Sequence, residues 1–256
     1  MILAVDMGNT HIEVGIVSGG EILMSSRIST DRKKTEAEYA VCIKEILDLY
    51  QIDPQEIEGG ILSSVVPPLT YILQEAVKLV TGKMPIVVGP GTKTGMHIKI
   101  DDPKTLGADM VVAAVGGIEL YGTPLILIDM GTATTITAVD REGSFLGGAI
   151  VPGVRISLDA LANSTTQLPM IALDSPRKAI GTNTVDCMKS GILYGQAAML
   201  DGMIDRMREE LGAEASVVAT GGLSGLIVPY CRHNIILERE LMIQGLKIIY
   251  DRNSRA

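Results

Sequence analysis

An apolar strand that runs into an Asp-Met-Gly turn occurs twice in this chain of 256 residues. Residues 2–10 read ILAVDMGNT and residues 125–134 read LILIDMGTAT, so that Asp6 and Asp129 lie 123 residues apart, close to half the chain. This spacing is far longer than the period of a solenoid or a propeller. The repeat therefore predicts two similar domains whose turns face each other and form a cleft.

Each turn has the composition of a phosphate-binding turn. A glycine lets the backbone turn sharply, and backbone N–H groups beside polar side chains such as Asn9 and Thr10 can hold phosphate oxygens. The carboxylate of Asp6 would then lie near a magnesium ion. Ordinary hairpin turns use the same residue types, and one copy alone would favour that interpretation. The second copy favours phosphate binding, and a gapless alignment continues the strand alternation, with Ile12 on Thr135.

The overall charge argues against one class of partner. The net charge is −8, with 22 Lys and Arg against 30 Asp and Glu, and the chain has no Trp and a single Phe. A nucleic-acid surface needs a basic stripe and aromatic platforms, so no nucleic-acid partner is expected. Phosphate binding must instead come from local backbone N–H groups, a few polar side chains and bound cations.

Hydropathy and cysteine usage predict a soluble, cytoplasmic protein without a membrane segment. The mean hydropathy is +0.30, but no apolar stretch approaches the ~18 residues of a spanning helix. The N-terminus carries neither a basic start nor a cleavage-like site, so no signal peptide is predicted. Cys42, Cys187 and Cys231 lack the spacing of a disulfide framework or a zinc site.

Two helix starts, one loop and one carboxylate stand out in the first half. Residues 35–38 (TEAE) have capping-box spacing, and Pro67 suits a first helical turn. Residues 89–95 (GPGTKTG) indicate either a long connection or a flexible lid, and we favour a functional loop. Asp109 falls in the first turn of the apolar helix 111–120. There it is either a carboxylate favoured by the helix dipole or a general base beside the cleft.

The second half carries a long helix and a tight turn. Residues 182–184 offer N-cap side chains to a helix that is predicted to end at about Leu211. Gly191 and Gly195 lie four apart in it and predict close packing against another element. Residues 220–222 (TGG) follow a strand as a tight turn that is predicted to admit a nucleotide base or ribose.

Several motifs together carry a resemblance to a known family. They occur in one order over nearly the whole chain: DMGNT at 6–10, GPGTKTG at 89–95, GAD at 107–109, DMGTATT at 129–135, GGAIVPG at 147–153 and TGG at 220–222. With these motifs the chain resembles the superfamily of acetate and sugar kinases, heat-shock chaperone ATPases and actin. Within it, the chain most resembles type III pantothenate kinase. Such a set is far more specific than any single motif.

The resemblance implies an α/β fold of duplicated ribonuclease H-like (actin-like ATPase) domains. Each domain would be a mixed five-stranded sheet with flanking helices, and the nucleotide cleft would lie between them. We expect the domains at 1–118 and 119–256. The last helix, predicted at 240–250 with a frayed tail at 252–256, is a candidate for packing back on the first domain.

The resemblance also implies an activity and its cofactors. It implies ATP-dependent phosphorylation of pantothenate to phosphopantothenate, the first step of coenzyme A biosynthesis. The enzyme would be a homodimer that uses magnesium with ATP, together with a monovalent cation, potassium or ammonium.

The resemblance also implies roles for individual residues of these motifs. Asp109 would be the catalytic base, Asp129 would hold the monovalent cation, and Asp6 would reach magnesium through ATP. ATP would be bound by Asp6, Met7, Gly8, Asn9, Thr10, His11, Ile12, Glu13 and Thr132. Pantothenate would be bound by Gly107, Ala108, Asp109, Met110, Thr184 and Ile100.

The acceptor side departs from the family pattern. Met110 stands where the family usually has arginine, Ile100 where many members have tyrosine, and Asp102 where asparagine is usual. Arginine is the natural partner of the pantothenate carboxylate, and methionine cannot make a forked, charged hydrogen bond. Two alternatives therefore stay open, a kinase of another small alcohol and a non-catalytic nucleotide-binding regulator. The presence of all three predicted catalytic and metal-binding aspartates speaks against the regulator.

Overall fold

The computed structural model describes residues 1–254, which form two compact units. Unit 1 comprises Met1–Met96, Asp101–Glu119 and Glu240–Ala256, of which residues 240–254 are described. Unit 2 comprises His97–Ile100 and Leu120–Arg239. The domain limits expected from the sequence remain a prediction.

Strands and helices alternate along the whole described chain. The strands are β1 (Ile2–Met7), β2 (His11–Ser18), β3 (Glu21–Ser29), β4 (Gly59–Ser64), β5 (Ile86–Val87), β6 (His97–Ile98), β7 (Leu125–Met130), β8 (Ala133–Val139), β9 (Ser144–Pro152), β10 (Ser216–Thr220) and β11 (Ile236–Leu237). The helices are α1 (Glu36–Leu49), α2 (Pro67–Thr81), α3 (Ala108–Tyr121), α4 (Val154–Asn163), α5 (Thr184–Leu211), α6 (Ser224–Ile227) and α7 (Leu241–Ser254). None of these helices combines the length and the apolarity needed to cross a membrane.

Unit 1 is built on a five-stranded mixed sheet in the order β3-β2-β1-β4-β5. The first three strands pair antiparallel, and β4 and β5 add to β1 in parallel. Apolar side chains on one face of β1, from Leu3 to Met7, form a buried core with α1 and α2. The two predicted helix starts are confirmed. The Glu38 N–H donates to Thr35 Oγ1 at 3.4 Å, the Thr35 N–H donates to Glu38 Oε2 at 2.8 Å, and α2 begins at Pro67.

Helices α3 and α7 pack against each other within unit 1. A Cβ added to Gly245 would lie 2.2 Å from the Val112 carbonyl oxygen, so glycine allows the two backbones to approach closely. The predicted frayed tail is wrong for residues 252–254, because α7 continues to Ser254 and Arg252 forms an ion pair with Glu119 at 2.9 Å. Residues 255–256 of that predicted tail lie outside the described residues.

Unit 2 repeats the strand order of unit 1 and adds one strand. Its sheet runs β11-β10-β7-β8-β9-β6, with β7, β8 and β9 antiparallel and β10 and β11 parallel to β7. The expectation of five strands is wrong for this sheet, because His97 and Ile98 pair in parallel with Ser144 and Phe145. A segment that residues 101–119 separate from the rest of unit 2 in sequence thus supplies its edge strand.

The two sheets support a duplication but correct the gapless alignment. Asp6 pairs with Glu13 across the first turn, whereas Asp129 pairs with Thr135 across the second. The second turn is therefore one residue shorter, and Glu13, not Ile12, matches Thr135. A β-bulge then follows at the equivalent place in each sheet, where Leu23 of β3 and Leu146 of β9 are the extra residues.

The long helix α5 has the predicted limits. The Asn183 side chain accepts a hydrogen bond from the Asp186 N–H at 2.9 Å and caps the helix. The close packing predicted at Gly191 and Gly195 is wrong within residues 1–254, because a Cβ on either would meet nothing within 4 Å.

Candidate active site

The first Asp-Met-Gly turn is a tight hairpin at the carboxyl end of β1. The Gly8 N–H donates to the His11 carbonyl oxygen at 2.9 Å and closes the turn. Asp6 is partly exposed near the end of β1, and Asn9 and Thr10 are exposed at the tip. The turn therefore places polar donors beside a carboxylate, as a phosphate-binding turn with magnesium requires.

Glu13 lies opposite Asp6 in the β1–β2 pair, on the same face of the sheet. Its carboxylate is buried, accepts a hydrogen bond from Ser25 Oγ at 2.8 Å, and forms an ion pair with Arg27 Nη2 at 3.3 Å. These partners indicate that Glu13 stabilises the pairing of β2 and β3 beside Asp6. Its predicted contact with ATP stays a prediction.

The end of β4 connects the first turn to the start of α3 within unit 1. Ser63 pairs with Asp6 across the parallel strands, and the Val65 N–H donates to the Met7 carbonyl oxygen at 3.0 Å. A Cβ added to Gly107 would lie 3.7 Å from Val65 Cγ1. The predicted phosphate turn and the predicted acceptor motif thus converge on the same end of the sheet.

Gly107 lies directly against the carboxylate of Asp109. A Cβ at position 107 would lie 2.5 Å from Asp109 Oδ1, so a larger residue would displace this oxygen. The same oxygen accepts a hydrogen bond from the Met110 N–H at 2.7 Å. The Gly107 carbonyl in turn accepts a hydrogen bond from the Val111 N–H at 3.2 Å. The Gly-Ala-Asp motif therefore sets the position of one carboxylate at the start of α3.

Burial raises the pKa of the Asp109 carboxyl above its ordinary value. Hydrogen bonds from the Met110 N–H and from the N–H of Asp109 itself oppose this shift without cancelling it. A carboxylate with a raised pKa is a stronger base than an exposed aspartate. Asp109 is therefore suited to accept a proton from an alcohol.

In unit 2, the second Asp-Met-Gly turn lies against two glycines. The Gly131 N–H donates to the Ala133 carbonyl oxygen at 3.0 Å. A Cβ on Gly153, the N-cap residue of α4, would lie 2.2 Å from the Thr132 carbonyl oxygen. A Cβ on Gly221 would lie 2.6 Å from Asp129 Oδ1, and Gly221 has a φ of +90°. The Thr-Gly-Gly turn thus packs on the carboxylate that the sequence assigns to a cation.

The remaining predicted acceptor residues, Ile100 and Thr184, belong to unit 2, whereas residues 107–110 belong to unit 1. Ile100 lies beside Gly147, where its Cγ2 would be 3.7 Å from an added Cβ. Thr184 is exposed as the first residue of α5. Neither side chain has a contact that tests its predicted role.

The glycine-rich loop 89–95 is held by the end of α7. The Asn253 side chain accepts a hydrogen bond from the Lys93 N–H and donates one to the Lys93 carbonyl oxygen, both at 3.0 Å. The Arg252 guanidinium donates to the Thr94 carbonyl oxygen. These bonds argue against a mobile lid at residues 93–95. No sequence pattern indicates this contact, because its partners lie 160 residues apart.

Known structures share this fold. A conserved Baf family protein from Campylobacter jejuni matches with a TM-score of 0.64 at 18% identity, over 99% of this chain and 100% of that chain. Component A of (R)-2-hydroxyglutaryl-CoA dehydratase from Acidaminococcus fermentans matches with a TM-score of 0.57 at 15% identity, over 97% and 96% of the two chains. These identities are low enough that the likeness concerns the fold alone. Together with the repeated strand order, it places the chain in the class of folds built from duplicated ribonuclease H-like (actin-like) domains.

Sequence relatives narrow this class to one family. Residues 2–206 match the family model of type III pantothenate kinase. A type III pantothenate kinase from Moorella thermoacetica is 45% identical over 254 residues, 99% of this chain and 100% of that protein. Another from an Exiguobacterium species is 44% identical over 255 residues, 100% of both chains. The chain belongs to the type III pantothenate kinase family, and the resemblance inferred from its motifs is confirmed.

Proposed function

We propose that this protein transfers the terminal phosphoryl group of ATP to the primary hydroxyl of pantothenate, forming phosphopantothenate in the first step of coenzyme A biosynthesis. The observation that carries the proposal is the convergence, within unit 1, of Asp6, the end of β4 and Asp109. Membership of the type III pantothenate kinase family supports the choice of substrate.

Asp109 is the proposed catalytic base. Phosphoryl transfer depends mostly on positioning and on neutralising phosphate charge, so the base needs only to orient the alcohol and to accept its proton late. The hydroxyl oxygen bonds to the γ-phosphorus as the bond from this phosphorus to the β,γ-bridging oxygen breaks, so that ADP leaves and the hydroxyl proton passes to the Asp109 carboxylate. General-base help of this kind typically contributes ~10²–10⁴-fold in rate.

Residues 6–13 and Thr132 are the proposed contacts of ATP, with Asp6 holding magnesium through ATP and Asp129 holding potassium or ammonium. Among residues 1–254, no three Asp, Glu, His or Cys side chains cluster around a possible metal site. This fits a magnesium ion that keeps water and phosphate oxygens as most of its ligands and needs only one or two carboxylates. The cations would neutralise phosphate charge in a chain whose net charge is −8.

Residues 107–110, Thr184 and Ile100 are the proposed contacts of pantothenate, in a homodimer. We assign the reaction to the cytoplasm, in keeping with the free thiols of all three cysteines. Met110 favours a second candidate substrate, because it offers no charge to the pantothenate carboxylate. Losing one charge-assisted hydrogen bond would weaken substrate binding by on the order of 1.5–3 kcal/mol. The second candidate is therefore a small alcohol without a carboxylate, phosphorylated by the same site.

Release of ADP with and without an acceptor tests both candidates. The purified protein receives magnesium-ATP and potassium, with either pantothenate or the uncharged analogue pantetheine. Turnover that depends on pantothenate supports the proposal, whereas turnover on pantetheine alone favours the second candidate. ATP binding without turnover on either alcohol would contradict both pantothenate and pantetheine as the acceptor.

Asp109→Asn is the matched variant for the role of the base. We expect its turnover to fall by about 10²–10⁴-fold while its affinity for ATP is unchanged. Unchanged turnover would remove Asp109 from the mechanism. Met110→Arg is the second variant, and a lower KM for pantothenate with an unchanged KM for ATP would locate the carboxylate site at residue 110.

A further inference from the structure

Thr30 is joined to the first Asp-Met-Gly turn by two hydrogen bonds. Thr30 Oγ1 donates to the Gly8 carbonyl oxygen at 2.7 Å, and the Thr30 N–H donates to the Thr10 carbonyl oxygen at 2.9 Å. Thr30 follows β3 and lies about 20 residues beyond the turn in sequence. One residue therefore holds both carbonyl groups that flank the tip of the turn.

These two bonds fix the direction of the N–H groups at the tip. The peptides between residues 8 and 9 and between residues 10 and 11 are trans, so each N–H points away from its own carbonyl oxygen. Because both carbonyl oxygens point towards Thr30, the N–H groups of Asn9 and His11 point to the opposite side. Neighbouring N–H groups that share a direction form an anion-binding surface.

Thr30 is itself held from the core of unit 1. The Tyr39 hydroxyl donates to the Asp31 carbonyl oxygen at 2.8 Å and accepts a hydrogen bond from the Asp31 N–H at 2.9 Å. Tyr39 is fully buried on α1. A connected path thus runs from the buried Tyr39 on α1, through residues 30–31, to the carbonyl groups of the turn.

We propose that Thr30 is a positioning residue of the nucleotide site, which orients the turn so that its N–H groups meet the phosphate groups of ATP. This inference rests on the proposed ATP site at residues 6–13 and adds a residue outside it. Thr30 bonds the carbonyl oxygens of Gly8 and Thr10, so it acts through the backbone of the turn.

Thr30→Val tests the proposal, because it keeps the shape of the side chain and removes the hydroxyl. We expect the dissociation constants of ATP and ADP to rise by about tenfold, and that of adenosine, which has no phosphate, to stay unchanged. Thr30→Ser keeps the hydroxyl and should restore most of the affinity. Calorimetry or nucleotide competition without pantothenate gives these values, so the result does not depend on which alcohol the enzyme phosphorylates.

Thr81→Val is the matched control, because the Thr81 hydroxyl also donates to a backbone carbonyl, that of Val77 at 2.9 Å, but on α2. It should leave nucleotide affinity unchanged. The proposal fails if Thr30→Val binds ATP like the wild type, if adenosine affinity falls equally, or if Thr30→Ser does not recover. It fails together with the proposed ATP site if the wild-type protein binds no ATP. Absence of pantothenate kinase activity with ATP binding intact would leave the proposal standing and overturn only the choice of acceptor.

Discussion

Replacing Gly107 by alanine should slow catalysis without weakening nucleotide binding. The new Cβ would lie 2.5 Å from Asp109 Oδ1, whereas ordinary contacts begin at 3.4 Å. The carboxylate oxygen must therefore move by roughly 0.9 Å, the difference between these distances, if the backbone stays in place. Such a movement would also lengthen its hydrogen bond with the Met110 N–H, now 2.7 Å.

The size of the effect follows from this displacement. Misplacing a reacting group by about 1 Å can reduce a rate by up to ~10²-fold, because the in-line geometry is lost. We therefore expect kcat to fall by roughly ten- to a hundredfold in Gly107→Ala. The backbone of Gly107 does not have a positive φ, so alanine introduces no strain of its own. Thermal stability should consequently change little.

Steady-state kinetics with ATP and the acceptor identified by the ADP-release assay measure this effect. Gly195→Ala is the control, because its Cβ would meet nothing within 4 Å of the described residues and it lies inside α5. It should leave kcat unchanged and raise the free energy of unfolding by about 0.5–1 kcal/mol, since alanine replaces glycine in a helix. A wild-type kcat in Gly107→Ala would show that turnover does not depend on the position of the Asp109 carboxylate. A rise only in the KM for ATP would show that Gly107 affects nucleotide binding and not catalysis, contrary to the prediction.

Two further predictions concern stability and local order. Burial raises the folded-state pKa of Asp109, so ionising this carboxyl lowers the stability of the wild-type protein as pH rises through that pKa. Asp109→Asn should therefore be more stable than the wild type at pH ~7. It should lose this advantage below the unfolded-state pKa of ~3.9. Denaturant unfolding at both pH values measures the difference, and an equal advantage at both would contradict the raised pKa. Asn253→Ala removes both hydrogen bonds to Lys93 and should speed amide hydrogen exchange at that residue, whereas Asn253→Asp keeps the acceptor and should retain protection. Equal exchange in all three proteins would show that α7 does not hold the loop.

Local patterns predicted much of the fold because their determinants are local. The starts of α1 and α5 follow from capping side chains that bond to a residue three positions further along the chain. The two Asp-Met-Gly hairpins follow from apolar strands that end in turn residues. In each case the residues that determine the structure are adjacent in the chain, so that a single sequence contains the whole signal.

The errors lie where structure depends on distant residues. Strand β6 has two residues and exists because it pairs with β9, about 50 residues away, and nothing in its own sequence indicates that partner. The sequence also does not reveal that the second Asp-Met-Gly turn is one residue shorter, because matching Thr135 with Ile12 or with Glu13 keeps a plausible alternation of side chains along the strand. The role of Thr30 could not be predicted for the same reason, because it depends on hydrogen bonds to two carbonyl groups about 20 residues away in sequence.

The nucleotide role predicted for the Thr-Gly-Gly turn stays a prediction, but the site glycines also have a structural role. The Cβ position of Gly221 lies 2.6 Å from the carboxylate of Asp129, so a larger residue would occupy the space that this carboxylate needs. Gly107 has the same relation to Asp109 at 2.5 Å. In both units, therefore, a glycine leaves the space that a predicted functional carboxylate fills. Each carboxylate depends on the glycine beside it for space, so a variant at either glycine tests the role of that carboxylate.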